Sequence, residues 1–333
     1  MSSTSSDSLV APDLELLTEA VGHQPRSWEP VDTGGYTRSQ TWRVETRDGP
    51  AFVKQAEDAG SLHMLRREAA VYRGVSGPFL PAFVGFADSG ERALLAIEYL
   101  ESVRWPPPYP DDVTPLFDAL EVVAASSPPS DLPVQGPWRS RWERVAADPE
   151  PLLGLGLCSR EWVDSSIGRL IESESSAVFE GEELVHNDVY SGNVGFASHG
   201  VVLVDWGAAV RGSRWIDAAF ALLSVRAEGG TNASFRFPGD AELAAALAGH
   251  FADEAPAPLP DWAEPGSTLR EDMAGDLAHA LRWPRSSSSF HPCASTNICS
   301  IGGRCVSRAG SSPARQRRLR CAGWPFSRRS PRT

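Results

Sequence analysis

From Trp28 to Tyr99 the chain alternates between apolar and polar positions with the period of β-strands, and one helical pattern interrupts them. In that helical pattern, Leu62, Leu65 and Ala69 recur at the spacing that places side chains on one face of a helix. Arg47-Asp48-Gly49, between two strand patterns, predicts a tight hairpin turn. The predicted elements, in chain order, are a helix at 12–21, strands starting at Trp28 and at 40–46 and 51–55, a helix at 61–75, and strands at 83–87 and 93–99. The expected sheet has five strands, with the long helix after the third.

A run of prolines between Arg104 and Pro110 separates this half of the chain from a mainly helical remainder. Consecutive prolines fit neither a regular helix nor a central strand, so the run is a natural linker. The predicted elements after it are helices at 112–126, 160–177, 216–227, 240–252 and 268–283, with short strands at 183–185 and 201–205. We expect an α+β protein with an N-terminal extension at 1–27, a β-rich lobe at 28–103 and a helical lobe at 104–283.

After Trp283 the helical and strand periods stop. Residues 284–333 are rich in Ser, Arg, Cys and Pro, and they resemble an out-of-frame translation of G+C-rich DNA. We expect this tail to be disordered or non-native. Its four cysteines lack the Cys-x₂₋₄-Cys spacing of a structural metal site. The arginines leave electrostatic binding of nucleic acid through the tail as an alternative.

Formal charge is unevenly distributed along the chain. The whole sequence carries −12, but its last 50 residues contain ten Arg and no Asp, Glu or Lys. Residues 1–283 therefore hold 21 basic and 43 acidic residues, a formal charge of −22. An acidic body disfavours nucleic acid as the main partner and is compatible with a cationic small substrate. No long uncharged apolar run and no secretory signal pattern occur, so we expect a cytoplasmic protein without a membrane partner.

One polar segment carries the spacing of a phosphoryl-transfer centre. His186-Asn-Asp188-Val-Tyr-Ser-Gly-Asn193 follows a predicted strand, and Asp205 comes 12 residues later at the end of the next predicted strand. Phosphoryl transfer from a nucleotide needs a carboxylate that accepts the proton of the attacking hydroxyl, and oxygen ligands that hold Mg²⁺ on the phosphates. We expect Asp188 to be the base, and Asn193 and Asp205 to be the metal ligands.

This constellation resembles the aminoglycoside phosphotransferase family of protein-kinase-like small-molecule phosphotransferases, in an actinobacterial form. The family's His-x-Asp-x-x-x-x-Asn motif is matched by His186, Asp188 and Asn193, and its metal-binding Asp by Asp205. The resemblance covers roughly residues 28–283. It implies a two-lobed protein-kinase-like fold that holds ATP and Mg²⁺ between its lobes. The enzyme would phosphorylate a hydroxyl group of a small molecule, an aminoglycoside or another acceptor.

The resemblance also implies roles for residues upstream of the motif. Lys54 is the single Lys beside 30 Arg, and it would contact the α- and β-phosphates. Glu68, on the helix that follows, would pair with Lys54 and hold it in place. Backbone N–H groups of Gly34 and Gly35 would cradle phosphates, although two glycines alone also make an ordinary turn.

Two questions of role stay open at this point. His186 is either a catalytic base or a structural residue of the catalytic loop, and we favour the structural role. Asp217 looks like the family's buried carboxylate at a helix start, which accepts backbone hydrogen bonds from that loop. The alternative to an active kinase is a catalytically impaired relative that binds nucleotide or acts as a scaffold, with a truncated or altered helical lobe.

Overall fold

A five-stranded antiparallel sheet forms the N-terminal half of the protein in the computed structural model, which describes residues 11–138, 140–228, 230 and 237–282. The strand order is β1-β2-β3-β5-β4. The strands are β1 Ser27–Pro30, β2 Gln40–Glu45, β3 Pro50–Ala56, β4 Phe83–Asp88 and β5 Ala93–Glu98. Each of the five was predicted from the sequence to within a few residues.

Two helices cover opposite faces of this sheet. They are α1 Leu14–Val21 and α2 Ala59–Gly74, and each begins after an Asp whose carboxylate accepts backbone N–H bonds from the first turn. Successive side chains of a strand point to opposite faces, so Val53 packs with α1 while Phe52 packs in the cluster that contains α2. By the same alternation, Lys54 lies on the α2 face of the sheet.

The C-terminal half is mainly helical. Its helices are α3 Thr114–Ala125, α4 Arg141–Ala147, α5 Glu150–Gly154, α6 Arg160–Ser176, α7 Trp215–Ala227, α8 Asp240–Glu254 and α9 Leu269–Ala280. Two antiparallel strand pairs lie among them, β6 Glu183–Val185 with β9 Val210–Gly212, and β7 Val194–Ala197 with β8 Gly200–Leu203. The buried side chains of these elements are continuous with the α2 face of the sheet. The predicted α+β class is confirmed.

Five elements differ from the sequence prediction. Helices α4 and α5 occupy a stretch that we expected to be irregular, because helices of seven and five residues show too few turns to display a period. Strands β7 and β9, of four and three residues, were also missed. Strand β8 ends at Leu203, not at Asp205. Asp205 instead has a left-handed backbone with φ of 64°, which turns the chain sharply.

The tail predicted at 284–333 lies outside the described residues. Within the part of the chain that the structure describes, no helix is both long and apolar enough to cross a membrane.

Candidate active site

A cleft of about 530 Å³ opens between the sheet and the helical half. The loop between β1 and β2 lines one side of this cleft, and Val204 and Asp205, directly after β8, line another. Residues with a predicted role that line the cleft are Gly34, Gly35, Lys54, Glu68 and Asp205. Gly34 has a positive φ of 66°, which glycine adopts without strain, and its N–H is bonded to the Asp32 carboxylate at 2.9 Å.

Lys54 joins the two halves of the protein at the floor of the cleft. Its Nζ lies 2.8 Å from Asp205 Oδ1 and 3.1 Å from Glu68 Oε2, so the predicted pairing with Glu68 is present. The backbone N–H of Trp206 also donates to Glu68. Burial would lower the pKa of Lys54, but the carboxylates of Asp205 and Glu68 hold that pKa above its usual value. The ammonium therefore stays charged.

The catalytic loop is held from beneath by Asp217 on α7. Its two carboxylate oxygens accept the backbone N–H groups of His186 and Asn187, each at 2.7 Å. Asn187 has a left-handed backbone, with φ of 64°, which Asn tolerates better than most residues. Asp217 thus supports the turn that precedes Asp188, and the hydrogen bonding expected of Asp217 is confirmed.

Asp188 lies beside Asn193, which returns towards it after a single 3₁₀ turn. Asn193 Nδ2 donates to the Asp188 carboxylate at 2.9 Å and to the Asp188 carbonyl at 3.0 Å. Burial, and then the negative charge of Asp205, raise the pKa of Asp188 to about 7, against the opposing hydrogen bond from Asn193. A carboxylate with a pKa near neutrality is suited to accept a proton from a hydroxyl group.

His186 faces away from the cleft. Its ring is fully buried, lies 4.4 Å from the Trp206 ring, and has Nε2 2.9 Å from the carbonyl oxygen of Val204. Because a carbonyl only accepts, Nε2 carries the hydrogen. Burial lowers the pKa of His186 to about 4, so the ring is neutral at physiological pH. These contacts favour the structural role of His186 over the role of a base.

Asn193 has a side-chain oxygen suited to the proposed role of Mg²⁺ ligand. Its Oδ1 is buried and has no hydrogen-bond partner among the described residues. Leaving such an oxygen unpaired costs about 1–3 kcal/mol, which coordination of a hard cation would offset. Within the described chain, no group of three or more His, Cys, Asp or Glu side chains is placed to hold a metal. The residues therefore fit a metal that takes its remaining ligands from nucleotide phosphates and water.

An acidic wall that includes Asp188 was not predicted from the sequence. This wall consists of Asp188, Glu228, Asp272 and Asp276. Burial raises the pKa of Asp276 well above its usual value, and the other three carboxylates raise it further. Glu228 Oε2 is buried without a hydrogen-bond partner in the described chain, while Glu228 Oε1 accepts from Ser191. The four-residue spacing of Asp272 and Asp276 on one predicted helix was the available signal.

A model of the phosphotransferase enzyme family matches residues 28–265, well over half of the 333 residues. The chain belongs to the phosphotransferase enzyme family. The predicted family is thereby confirmed, and with it the expectation of an enzyme of the kinase type that acts on hydroxyl groups of small molecules. No curated protein matches the chain.

Solved structures provide a separate comparison at the level of the fold. A crystal structure of a thermostable mutant of aminoglycoside phosphotransferase APH(4)-Ia, in ternary complex with ADP and hygromycin B, has a TM-score of 0.50 and 15% identity. The alignment covers 81% of this chain and 95% of that one. Spectinomycin phosphotransferase APH(9)-Ia, in complex with ADP and spectinomycin, has a TM-score of 0.49 and 12% identity, covering 79% and 92%. The first of these agrees with the protein-kinase-like fold.

Proposed function

We propose that this phosphotransferase transfers the γ-phosphate of ATP to a hydroxyl group of a small molecule held beside Asp188. The observation that carries the proposal is the assembly of four side chains from separate elements. Lys54 is bonded to Asp205, Asn193 is bonded to Asp188, and the pKa of Asp188 responds to the charges of Asp205 and Lys54. The cleft would lie between a nucleotide-binding lobe at 28–103 and a catalytic lobe at 104–283.

Each group of the cleft has a task in this reaction. Lys54 would hold the α- and β-phosphates, with Glu68 fixing its position, and the backbone of Gly34 and Gly35 would approach the phosphates from above. Asn193 and Asp205 would hold Mg²⁺, which, when bound, neutralises charge on the phosphates. Asp188 would orient the acceptor hydroxyl and take its proton as the new O–P bond forms and the bond from the γ-phosphorus to the bridging oxygen breaks, which releases ADP.

The acidic wall supports a cationic acceptor. Like charges packed together raise one another's pKa, and a protonated amine placed among them would relieve that repulsion. Glu228 is suited to such a contact because its Oε2 is buried without a hydrogen-bond partner in the described chain, and Asp276 adds a neighbouring carboxylate. We therefore propose an acceptor that carries at least one amino group near the hydroxyl that is phosphorylated.

We expect Asp205→Asn to weaken binding of Mg·ADP by at least about tenfold, the lower end of losses seen when even outer-sphere groups of metal sites are removed. The amide that replaces the carboxylate is a weaker ligand for a hard cation. Calorimetric titration with Mg·ADP measures the change. Titration with ADP in excess chelator is the control, and the two proteins should differ much less there. Equal affinities for Mg·ADP would contradict the metal role of Asp205.

The proposed reaction is tested by a screen of acceptors in matched pairs. Each pair contains an amine and its neutral counterpart, such as an amino sugar and the parent sugar, or an amino alcohol and a diol. ATP consumption and the mass of the phosphorylated product are followed with the wild-type chain and with Asp205→Asn. Turnover of the cationic members supports the proposal. Turnover of neutral members alone would contradict the cationic acceptor, and binding of ATP without turnover of any member would favour the catalytically impaired relative.

A further inference from the structure

The loop between β1 and β2 is fastened to the far end of the chain. The carbonyl oxygen of Tyr36 accepts the backbone N–H of Glu264 at 2.7 Å, and Thr37 forms an isolated β-bridge with Ala263. The guanidinium of Arg38 donates to the carbonyl oxygen of Ala263 at 3.4 Å. These contacts join the glycine loop, residues 31–39 between β1 and β2, to the segment between α8 and α9.

One side-chain bond anchors this junction to α9. The phenol of Tyr36 donates to Asp272 Oδ2 at 2.8 Å, across 236 residues of sequence. The hydroxyl of Thr268, just before α9, donates to the same oxygen at 2.7 Å. Asp272 is thus tied both to its own helix start and to the glycine loop.

The sheet gives this loop little support of its own. Strand β1, which precedes the loop, is exposed at all four of its residues and lies at the edge of the sheet. Gly34 needs its left-handed backbone for the turn, and glycine has more conformational freedom to lose than any other residue. A loop of this kind stays in one position only if contacts from outside the sheet fix it.

Helix α9 also carries two members of the acidic wall. Asp276 follows Asp272 by one helical turn, so both lie on the same face of α9. Asp276 interacts electrostatically with Asp188, the proposed base. The helix that holds Tyr36 is therefore also part of the acidic wall, so the glycine loop and the acidic wall share one support.

We propose that Tyr36 is a positioning residue that acts through Asp272, and that this pair clamps the glycine loop over the nucleotide and joins it to the acidic wall. The proposal rests on the nucleotide site proposed above. When the clamp is closed, the loop is already in the position that the phosphates require, so the nucleotide need not order it. When the clamp is lost, binding of the nucleotide must supply that ordering.

The test compares Tyr36→Phe with Thr268→Val. The first variant removes only the hydroxyl that reaches Asp272, while the second removes the other bond to the same oxygen and leaves the clamp in place. Tyr36→Phe should raise the KM for ATP about threefold to tenfold, the effect of one net hydrogen bond, and should change kcat by less than about twofold. Thr268→Val should leave both constants near those of the wild-type chain.

Hydrogen exchange without any nucleotide provides a second measurement. Peptides that cover residues 32–39 and Glu264 should exchange faster in Tyr36→Phe than in the wild-type chain, and peptides from α2 should not change. Asp272→Ala removes the same bond from the other side and should give the same acceleration. The double variant should be no worse than the more affected single variant, because both changes remove one interaction.

Unchanged exchange in residues 32–39 of Tyr36→Phe would overturn the clamp, and so would an equal effect of Thr268→Val. Strict additivity in the double variant would also overturn it. Failure of the proposed function has a different signature. A wild-type chain that binds no nucleotide would refute the proposed reaction, whereas the exchange measurements would still decide whether the clamp exists.

Discussion

Asp188→Asn should lower kcat by about 10²–10⁴, the contribution usual for a positioned general base, while affinity for Mg·ADP stays near that of the wild-type chain. The amide keeps the shape of the carboxylate, and its oxygen can still accept the bond that Asn193 donates at 2.9 Å. It cannot take a proton from the acceptor hydroxyl. Steady-state kinetics with an acceptor found in the screen measures kcat, and calorimetry measures the nucleotide affinity.

Asp164→Asn is the matched control for this change. Asp164 is an exposed residue of α6, far in sequence from the catalytic loop, so the same chemical substitution should leave kcat unchanged. Turnover of Asp188→Asn within a few fold of the wild-type rate would refute the assignment of Asp188 as the base. A large loss of nucleotide affinity would instead point to a role of Asp188 in the metal site.

The rate should also depend on pH in a direction set by Asp188. Burial and the charge of Asp205 raise its pKa to about 7 in the free enzyme. A base must be unprotonated, so kcat/KM should fall about tenfold for each pH unit below about pH 7 and level off above it. Asp188→Asn should lose this dependence. A profile that stays flat from neutral to mildly acidic pH would contradict the raised pKa.

The sequence predicted best those features that depend on residues close together in the chain. The interval from Asp188 to Asn193 is set by one short loop, so the motif assigned both residues to one site, where the structure joins their side chains by a hydrogen bond of 2.9 Å. Strand alternation likewise places Lys54 on the α2 face of the sheet, because Phe52, two residues earlier, packs on that face. Strands β2 to β5 and the two helices of the first half were predictable because each is long enough to show its period.

Contacts between distant parts of the chain were not predictable in this way. Nothing local to Tyr36 indicates Asp272, since their bond depends on how the segment after α8 packs against the sheet. The position of Asp205 was predicted, but its left-handed backbone was not, because the strand pattern continues through Val204. The sequence offered only the spacing of Asp272 and Asp276 on one helix as a sign of the acidic wall, because Asp188 and Glu228 reach it from distant parts of the chain.

Lys54→Met should produce the largest loss of stability among the site variants. Lys54 is the cation between Asp205 and Glu68, and its side chain is only 13% exposed. Removing one partner of a buried ion pair leaves the other charge without compensation and typically costs about 3–5 kcal/mol. Urea unfolding at neutral pH measures this change. Nucleotide affinity should fall as well, since no other Lys exists in the chain to replace it.

The loss of stability in Lys54→Met should depend on pH because of Glu68. Burial already raises its pKa while Lys54 opposes the increase, so removing Lys54 lets the pKa rise further. A carboxyl group whose pKa is higher in the folded state than in the unfolded state destabilises the fold increasingly as pH rises between the two values. The loss of unfolding free energy in Lys54→Met should therefore be greatest at neutral pH. It should shrink as the pH falls towards 4.5, the ordinary pKa of Glu.

Lys54→Arg separates the charge of Lys54 from its shape. A guanidinium remains positive and can pair with both carboxylates, so most of the stability should return. Its planar fork and greater length differ from the compact ammonium that would contact the phosphates, so turnover should stay low. Full turnover by Lys54→Arg would show that the site needs only a positive charge here. A Lys54→Met protein as stable as the wild-type chain at neutral pH would contradict the buried ion pair. It would mean that Asp205 and Glu68 lose their shared cation without any loss of stability.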